Sequence, residues 1–182
     1  AAVRAWLEAE FRAGVLPIEA ASLPELMHLL RRACGDGPGA RDAALAVRER
    51  DNWLLAQREA PELRAQQRQM GGSLGQLLAD LGWRPPVEAA PLAWTAAWAW
   101  AGLCLEIPPA ELVEAYLYAW TASQLSAAVR LVPMGPTEAQ RLQLALAPTL
   151  VCRARELAAS DPRTLWNGGV GARAGCSRWA SV

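Results

Sequence analysis

The sequence predicts an all-α fold, a single-domain bundle of about six to eight helices. Three observations carry that expectation. Hydrophobic residues make up 53% of the 182 residues, but alanine and leucine supply most of them and β-branched residues are few, a composition that favours helices. Apolar residues recur at spacings of three and four along most of the chain. Sustained two-residue alternation, the mark of a half-buried strand, is absent.

Val3, Trp6, Leu7, Phe11 and Val15 lie at helical spacing and predict a first helix ending near Gly14 to Pro17. Ser22, with Glu25 three residues on, reads as the N-cap of a second helix whose Leu26, Leu29 and Leu30 face inward. "CGDGPG", Cys34 to Gly39, ends it. Residues 40–81 read as helix nearly throughout, interrupted at Pro61 and again at Gly71-Gly72, with an inward stripe of Leu55, Leu63, Met70, Leu74, Leu77, Leu78 and Leu81. Gly82 and "RPP" end this stretch. A tryptophan-rich helix follows from Ala89 to about Gly102, then the longest uninterrupted one, Pro109 to about Leu131. The last starts at Thr137 and is bent or ended by Pro148. The packed domain is expected to run over 1–159, with 160–182, rich in glycine, serine and arginine, a flexible tail.

A formal charge of zero and a pI near 6.8 leave no field to draw the chain to nucleic acid or an anionic membrane. Its longest apolar stretch, Pro91 to Leu105, is shorter than the ~20 residues that span a bilayer. Cys34, Cys104, Cys152 and Cys176 show no zinc or redox spacing. Cys104 and Cys152 read as small buried thiols of a reduced, cytoplasmic protein. His28 is the single histidine, placed without a nucleophile or carboxylate partner. Nucleophile elbows, phosphate loops and HExxH are missing, so the sequence nominates no catalytic residue, cofactor or metal site.

Three features could serve binding. Trp94, Trp98, Trp100 and Trp120 either line a small-molecule pocket or form core. Ala119, Ser123 and Ala127 form a small-residue ladder that admits a neighbouring helix. In "REAPELRAQQRQMG", Arg58 to Gly71, Arg58 and Glu62 can pair, while Arg64 and Arg68 present two unpaired guanidiniums beside Gln67, on the face opposite Leu63, Met70 and Leu74, suited to a partner's acidic groups. A further arginine, Arg130, interrupts the apolar "SAAVRLVPMG" just before a proline-glycine turn. It reads either as a solvated helix end or as a group presented to a partner.

Together "REAPELRAQQRQMG" and "SQLSAAVRLVPMG", followed by "EAQRLQLALAP", resemble the urease accessory protein F family, whose members carry R-E-T-x-E-L-R-x-E-x-R-Q-M-G and later S-A-A-V-[KR]-L-V-P-L-G-Q-T. The matches fall on Arg58, Glu59, Glu62, Leu63, Arg64, Arg68, Gln69, Met70 and Gly71, and on Ser126 to Pro133 with Gly135. The resemblance implies an all-helical cytosolic protein that is not an enzyme. It implies a homodimer that binds accessory protein D, also called H, and recruits the GTPase accessory protein G, so that nickel passes into apo-urease. It places Arg58, Glu59, Glu62, Arg64, Arg68, Gln69, Met70, Gly71, Arg130, Pro133 and Gly135 at partner-binding surfaces. Ser177 and Arg178 in "CSRWASV" echo the family's C-terminal arm. The family's N-terminal G-[GA]-[FY]-[AS]-[YH]-S segment is expected to be missing. Pro136 stands where the family has glutamine, and Gln66-Gln67 where it has an acidic residue. The competing expectations are an unrelated helical domain that binds small molecules or partners, and a degenerate, non-functional family member.

Overall fold

The computed structural model describes residues 2–87 and 90–165. Among them are seven α-helices and no strand, as the sequence predicts for a helical domain. These are α1 (Ala2–Glu10), α2 (Val15–Ala33), α3 (Ala40–Ala56), α4 (Pro61–Asp80), α5 (Trp94–Cys104), α6 (Pro109–Leu131) and α7 (Pro136–Ala158), followed by a 3-10 turn at Pro162–Thr164. No described helix is long and apolar enough to cross a membrane. The tail expected from residue 160 lies, from 166 on, outside the described residues.

The described residues form two compact units. One takes in residues 2–21 and 113–165, the other 22–87 and 90–112. In the first, Leu7, Phe11, Ile18, Leu117, Leu146, Leu150 and Leu157 are almost fully buried. Trp120 packs on Trp6 with centroids 5.9 Å apart and meets Phe11 edge-on at 6.2 Å, a favoured aromatic geometry. Tyr116 donates its hydroxyl to the buried Glu19 carboxylate at 3.0 Å, and Arg153 Nε donates to the Phe11 carbonyl at 2.9 Å. That last bond holds the chain just past α1 to α7.

In the second unit Leu23, Leu26, Met27, Leu30, Val47, Leu54 and Leu112 are buried. Arg50 reaches Glu25 at 2.6 Å and lies 4.8 Å over the Trp53 ring. A Cβ on Gly102 would run into both Leu112 methyls, Cδ1 at 2.7 Å and Cδ2 nearer still, so α5 and the start of α6 pack at a distance that glycine permits.

Several helix boundaries differ from those the sequence predicts. Ser22 is not an N-cap: it is buried inside α2, which starts at Val15 and runs through Pro24. The break comes earlier, where Gly14 takes a φ of +106°, a left-handed conformation that favours glycine. α4 passes through Gly71-Gly72 without interruption. α5 starts at Trp94 rather than at Ala89. α7 starts at Pro136, with Gly135 before it as N-cap, rather than at Thr137, because Pro136 already has the φ of a first helical residue and no N–H to satisfy. Pro148 lies within α7, which continues to Ala158.

The inward stripe of the 40–81 region is also corrected. Leu55 and Leu78 are buried, but Leu63, Met70, Leu77 and Leu81 are exposed and Leu74 is half-buried. Cys152 is exposed and Cys104 half-buried, so neither is a core thiol.

Candidate functional site

The residues nominated from the sequence fall on two surfaces, one in each unit. The first is the elbow between α3 and α4. Ala60 is extended and Pro61 opens α4. Arg64 Nη1 donates to the carbonyl oxygens of Arg58 at 2.6 Å and Glu59 at 2.9 Å. Arg64 is therefore not the unpaired guanidinium the spacing suggested. It fixes the backbone that enters α4, and so positions Glu59 and Glu62, both exposed. Arg58 is half-buried, whereas Arg68 and Gln69 are exposed.

Gly71 has an internal cause. A Cβ there would overlap the Leu92 carbonyl oxygen and the Ala93 carbonyl carbon, with the Trp94 nitrogen at 2.7 Å. The strand-like segment before α5 crosses α4 at this point, backbone against backbone. Asp51, on α3, completes the crossing: both its carboxylate oxygens accept the Ala93 N–H, at 3.1 and 3.2 Å. Arg48 donates to the Ala90 carbonyl at 2.6 Å and lies 3.8 Å from Asp51. Burial pushes the Asp51 carboxyl above its ordinary value, against the Ala93 hydrogen bond and the Arg48 and Arg68 charges, which pull it down. Asp51 and Arg48 were missed in the sequence. Their signal was there: Asp51 sits on the same helical face as Val47, Leu54 and Leu55, a charge where an apolar residue belongs.

Beside this crossing, Met70, Leu74, Leu77 and Trp94, with Gln66 and Gln69, line an open groove of about 550 Å³. The four tryptophans nominated from the sequence do not share one site. Trp94 and Trp98 pair at 5.3 Å, Trp100 is buried and donates to the Trp83 carbonyl at 3.2 Å, and Trp120 belongs to the Trp6 and Phe11 cluster.

The second surface is the turn from α6 to α7. Arg130 is exposed, and its Nε makes a long 3.4 Å contact with the Ser126 carbonyl one turn back. The helix closes with Val132 N–H donating to Ala128 at 2.9 Å, and Met134 N–H then donates to Val132 at 2.7 Å. This tight turn leaves Leu131 82% exposed, with Val132 and Pro133 exposed beside it. Gly135 is extended at φ −77°, and nothing lies within 4 Å of where its Cβ would stand. The chain's own fold does not require glycine there. Ser177 and Arg178 lie outside the described residues. Among the described residues no group of three or more histidine, cysteine or acidic side chains could hold a metal ion.

Comparison with known proteins covers the stretch of chain that carries both surfaces. The profile of the UreF family matches residues 1–147. The urease accessory protein UreF of Prochlorococcus marinus subsp. pastoris is 40% identical over 121 residues, covering 66% of this chain and 53% of that protein. That of P. marinus strain MIT 9312 is 31% identical over 170 residues, covering 93% and 74%. That of Alkalilimnicola ehrlichii is 35% identical over 173 residues, covering 92% and 71%. The chain spans about half the length of the first of these relatives.

Proposed function

The chain belongs to the UreF family of urease accessory proteins, and on that premise we propose that it is a non-catalytic adaptor in the cytoplasm. It binds accessory protein D or H, as a homodimer, and the complex recruits the GTPase accessory protein G to apo-urease for nickel insertion. The adaptor holds no cofactor and no nickel of its own.

The observation that supports this reading is the turn after α6. Leu131, Val132 and Pro133 stand in solvent beside Arg130, and Gly135 follows in open space. An arginine flanked by uncovered apolar side chains is the composition of an interface hot spot, and a glycine whose neighbourhood is empty leaves room for another backbone. Arg68, Gln69 and Met70 form a second exposed set on α4, with Glu59 and Glu62 at its head. Arg64 and Gly71 act there through the fold, the one by pinning the elbow and the other by admitting the α5 segment. Ser177 and Arg178, outside the described residues, join the proposed partner contacts through the family resemblance alone.

Co-purification tests the reading. Tagged protein retains accessory proteins D and G, and restores nickel loading of urease in cells that lack their own F protein. Retention of neither partner, with no restored urease, overturns it.

A further inference from the structure

Towards its C-terminus α7 carries two stripes. Leu146, Leu150, Ala154 and Leu157 recur at helical spacing and are buried. Beside them Thr149, Cys152, Arg153 and Glu156 recur at steps of three, one and three, and this second stripe is polar. Across from it stand Glu8 near the end of α1 and Phe11 and Arg12 in the turn that follows. Together the two sets enclose a half-open cavity of about 290 Å³. All of its lining belongs to the unit that holds α1 and α7, and none of the residues proposed for partner binding lines it.

Most of the charge in these walls is already paired. Arg4 Nε donates to Glu8 Oε1 at 2.9 Å. Arg153 donates through Nε to the Phe11 carbonyl at 2.9 Å and through Nη1 to Glu156 Oε2 at 2.8 Å. These bonds hold the wall groups in place before any ligand arrives, which lowers the ordering cost of binding. Arg12 differs, because its side chain has no partner among the described residues. The cavity therefore has an uncompensated positive charge, with an open fork of N–H donors. Glu8 Oε2 and Glu156 Oε1 remain as acceptors, the latter met only by the Cys152 thiol at 3.9 Å. Glu8, Cys152 and Glu156 do not form a metal-holding group.

We propose that this cavity binds a small organic acid whose carboxylate sits on Arg12 and whose neighbouring hydroxyl or ammonium group donates to Glu8 or Glu156. The open guanidinium favours a planar carboxylate, which it can grip bidentately. The flanking carboxylates repel a second negative charge, so inorganic phosphate is disfavoured. A donor beside the ligand carboxylate gives those same oxygens a partner. The volume lies at the small end for a ligand pocket and suits an α-hydroxy or α-amino acid of a few carbons, with affinity on the order of millimolar.

Cys152, in the wall, reports occupancy. Iodoacetamide labelling of the full chain is followed at each cysteine by mass spectrometry, with L-lactate, L-alanine, propionate or inorganic phosphate present. Lactate and alanine at saturation slow Cys152 labelling by roughly threefold or more. Propionate, which lacks the donor, and phosphate protect markedly less. Cys34, exposed in the other unit, labels at one rate throughout. Arg12→Gln removes the protection and leaves the unprotected rate and the helical spectrum unchanged, since the Arg12 side chain makes no described contact that the fold needs. Saturation-transfer NMR on the lactate methyl, in wild type and Arg12→Gln, decides the matter should a bound acid leave Cys152 open to the reagent. Absence of both protection and saturation transfer overturns the proposal. So does protection that survives Arg12→Gln, equal slowing at Cys34, propionate matching lactate, or protection by phosphate alone.

Discussion

Asp51 and Ala93 stand 42 residues apart in sequence, yet both carboxylate oxygens of Asp51 accept the one N–H of Ala93, at 3.1 and 3.2 Å. This bond holds the first turn of α5 against Gly71 of α4 and so sets the groove beside Met70. Asp51→Ala leaves a buried N–H without its acceptor and is expected to cost about 1–3 kcal/mol in chemical denaturation. Asp51→Asn keeps an oxygen in place and should come close to wild type. Because burial raises the folded-state value of Asp51 above 3.8, its contribution to stability is fullest below that value and declines as pH rises through the raised one. The difference between Asp51→Asn and wild type should therefore shift in favour of asparagine as pH rises above 3.8.

Gly71→Ala should be far more damaging than Gly75→Ala. The first pushes a methyl into the backbone of Leu92 and Ala93, which cannot rotate away, whereas the second meets nothing within 4 Å. We expect Gly71→Ala to lose about 3 kcal/mol or more, and Gly75→Ala to gain up to about 1 kcal/mol from better helix propensity. Thermal melts of the two variants check this.

Glu106 occupies a left-handed conformation at φ +55°, where the Ile107 N–H donates to the Gly102 carbonyl at 2.9 Å to close α5. The end of α4 uses the same closure with a glycine: Gly82 has φ +92°, and Trp83 N–H donates to Leu78 at 2.8 Å. Glu106→Gly should stabilise the protein by roughly 0.5–1 kcal/mol. Unchanged or lower stability would show that the Glu106 side chain compensates its backbone.

The Cys104 thiol is pushed up to about 11 by burial and by the neighbouring Cys34. Only the thiolate reacts with iodoacetamide. Alkylation of Cys104 at pH 8, followed by mass spectrometry, should be slower than that of a free thiol by roughly two orders of magnitude, and should rise with pH until near pH 11. Rapid labelling at neutral pH contradicts this.

What could be read in the sequence was governed by how local its cause is. α6 was found with its boundaries, Pro109 and Leu131, because a proline start, an uninterrupted apolar pattern and a following Pro133 are all local signals. The stop at Gly82 was equally plain. Gly71-Gly72 was misread as a break because the reason for Gly71 is tertiary: a backbone 21 residues on passes over it. Ser22 matched a capping box, yet it lies inside a helix whose true start is set by the left-handed Gly14. The α4 stripe had the right period, but period does not tell whether a neighbouring helix in the same chain covers it. Of the residues proposed for the partner surface, Arg130 stood out locally as a charge in an apolar run, while Pro133 and Gly135 came from the family resemblance. The roles of Arg64 and Asp51 were not legible, since each depends on where a distant or reversing backbone points its polar groups.

The central claim, that the turn after α6 presents Arg130 to the urease maturation machinery, is tested most directly by the affinity of the protein for the complex of accessory proteins D and G, with thermal stability measured alongside. Arg130→Ala should weaken binding by about 2 kcal/mol or more, a factor of roughly 30, without lowering the melting temperature, because the side chain is exposed and its one intrachain contact is long. Arg130→Lys should retain most of the affinity, since the resemblance allows either residue at this position and charge then carries the contact. Equal affinities for wild type and Arg130→Ala would contradict the account and leave Arg130 a solvated helix end.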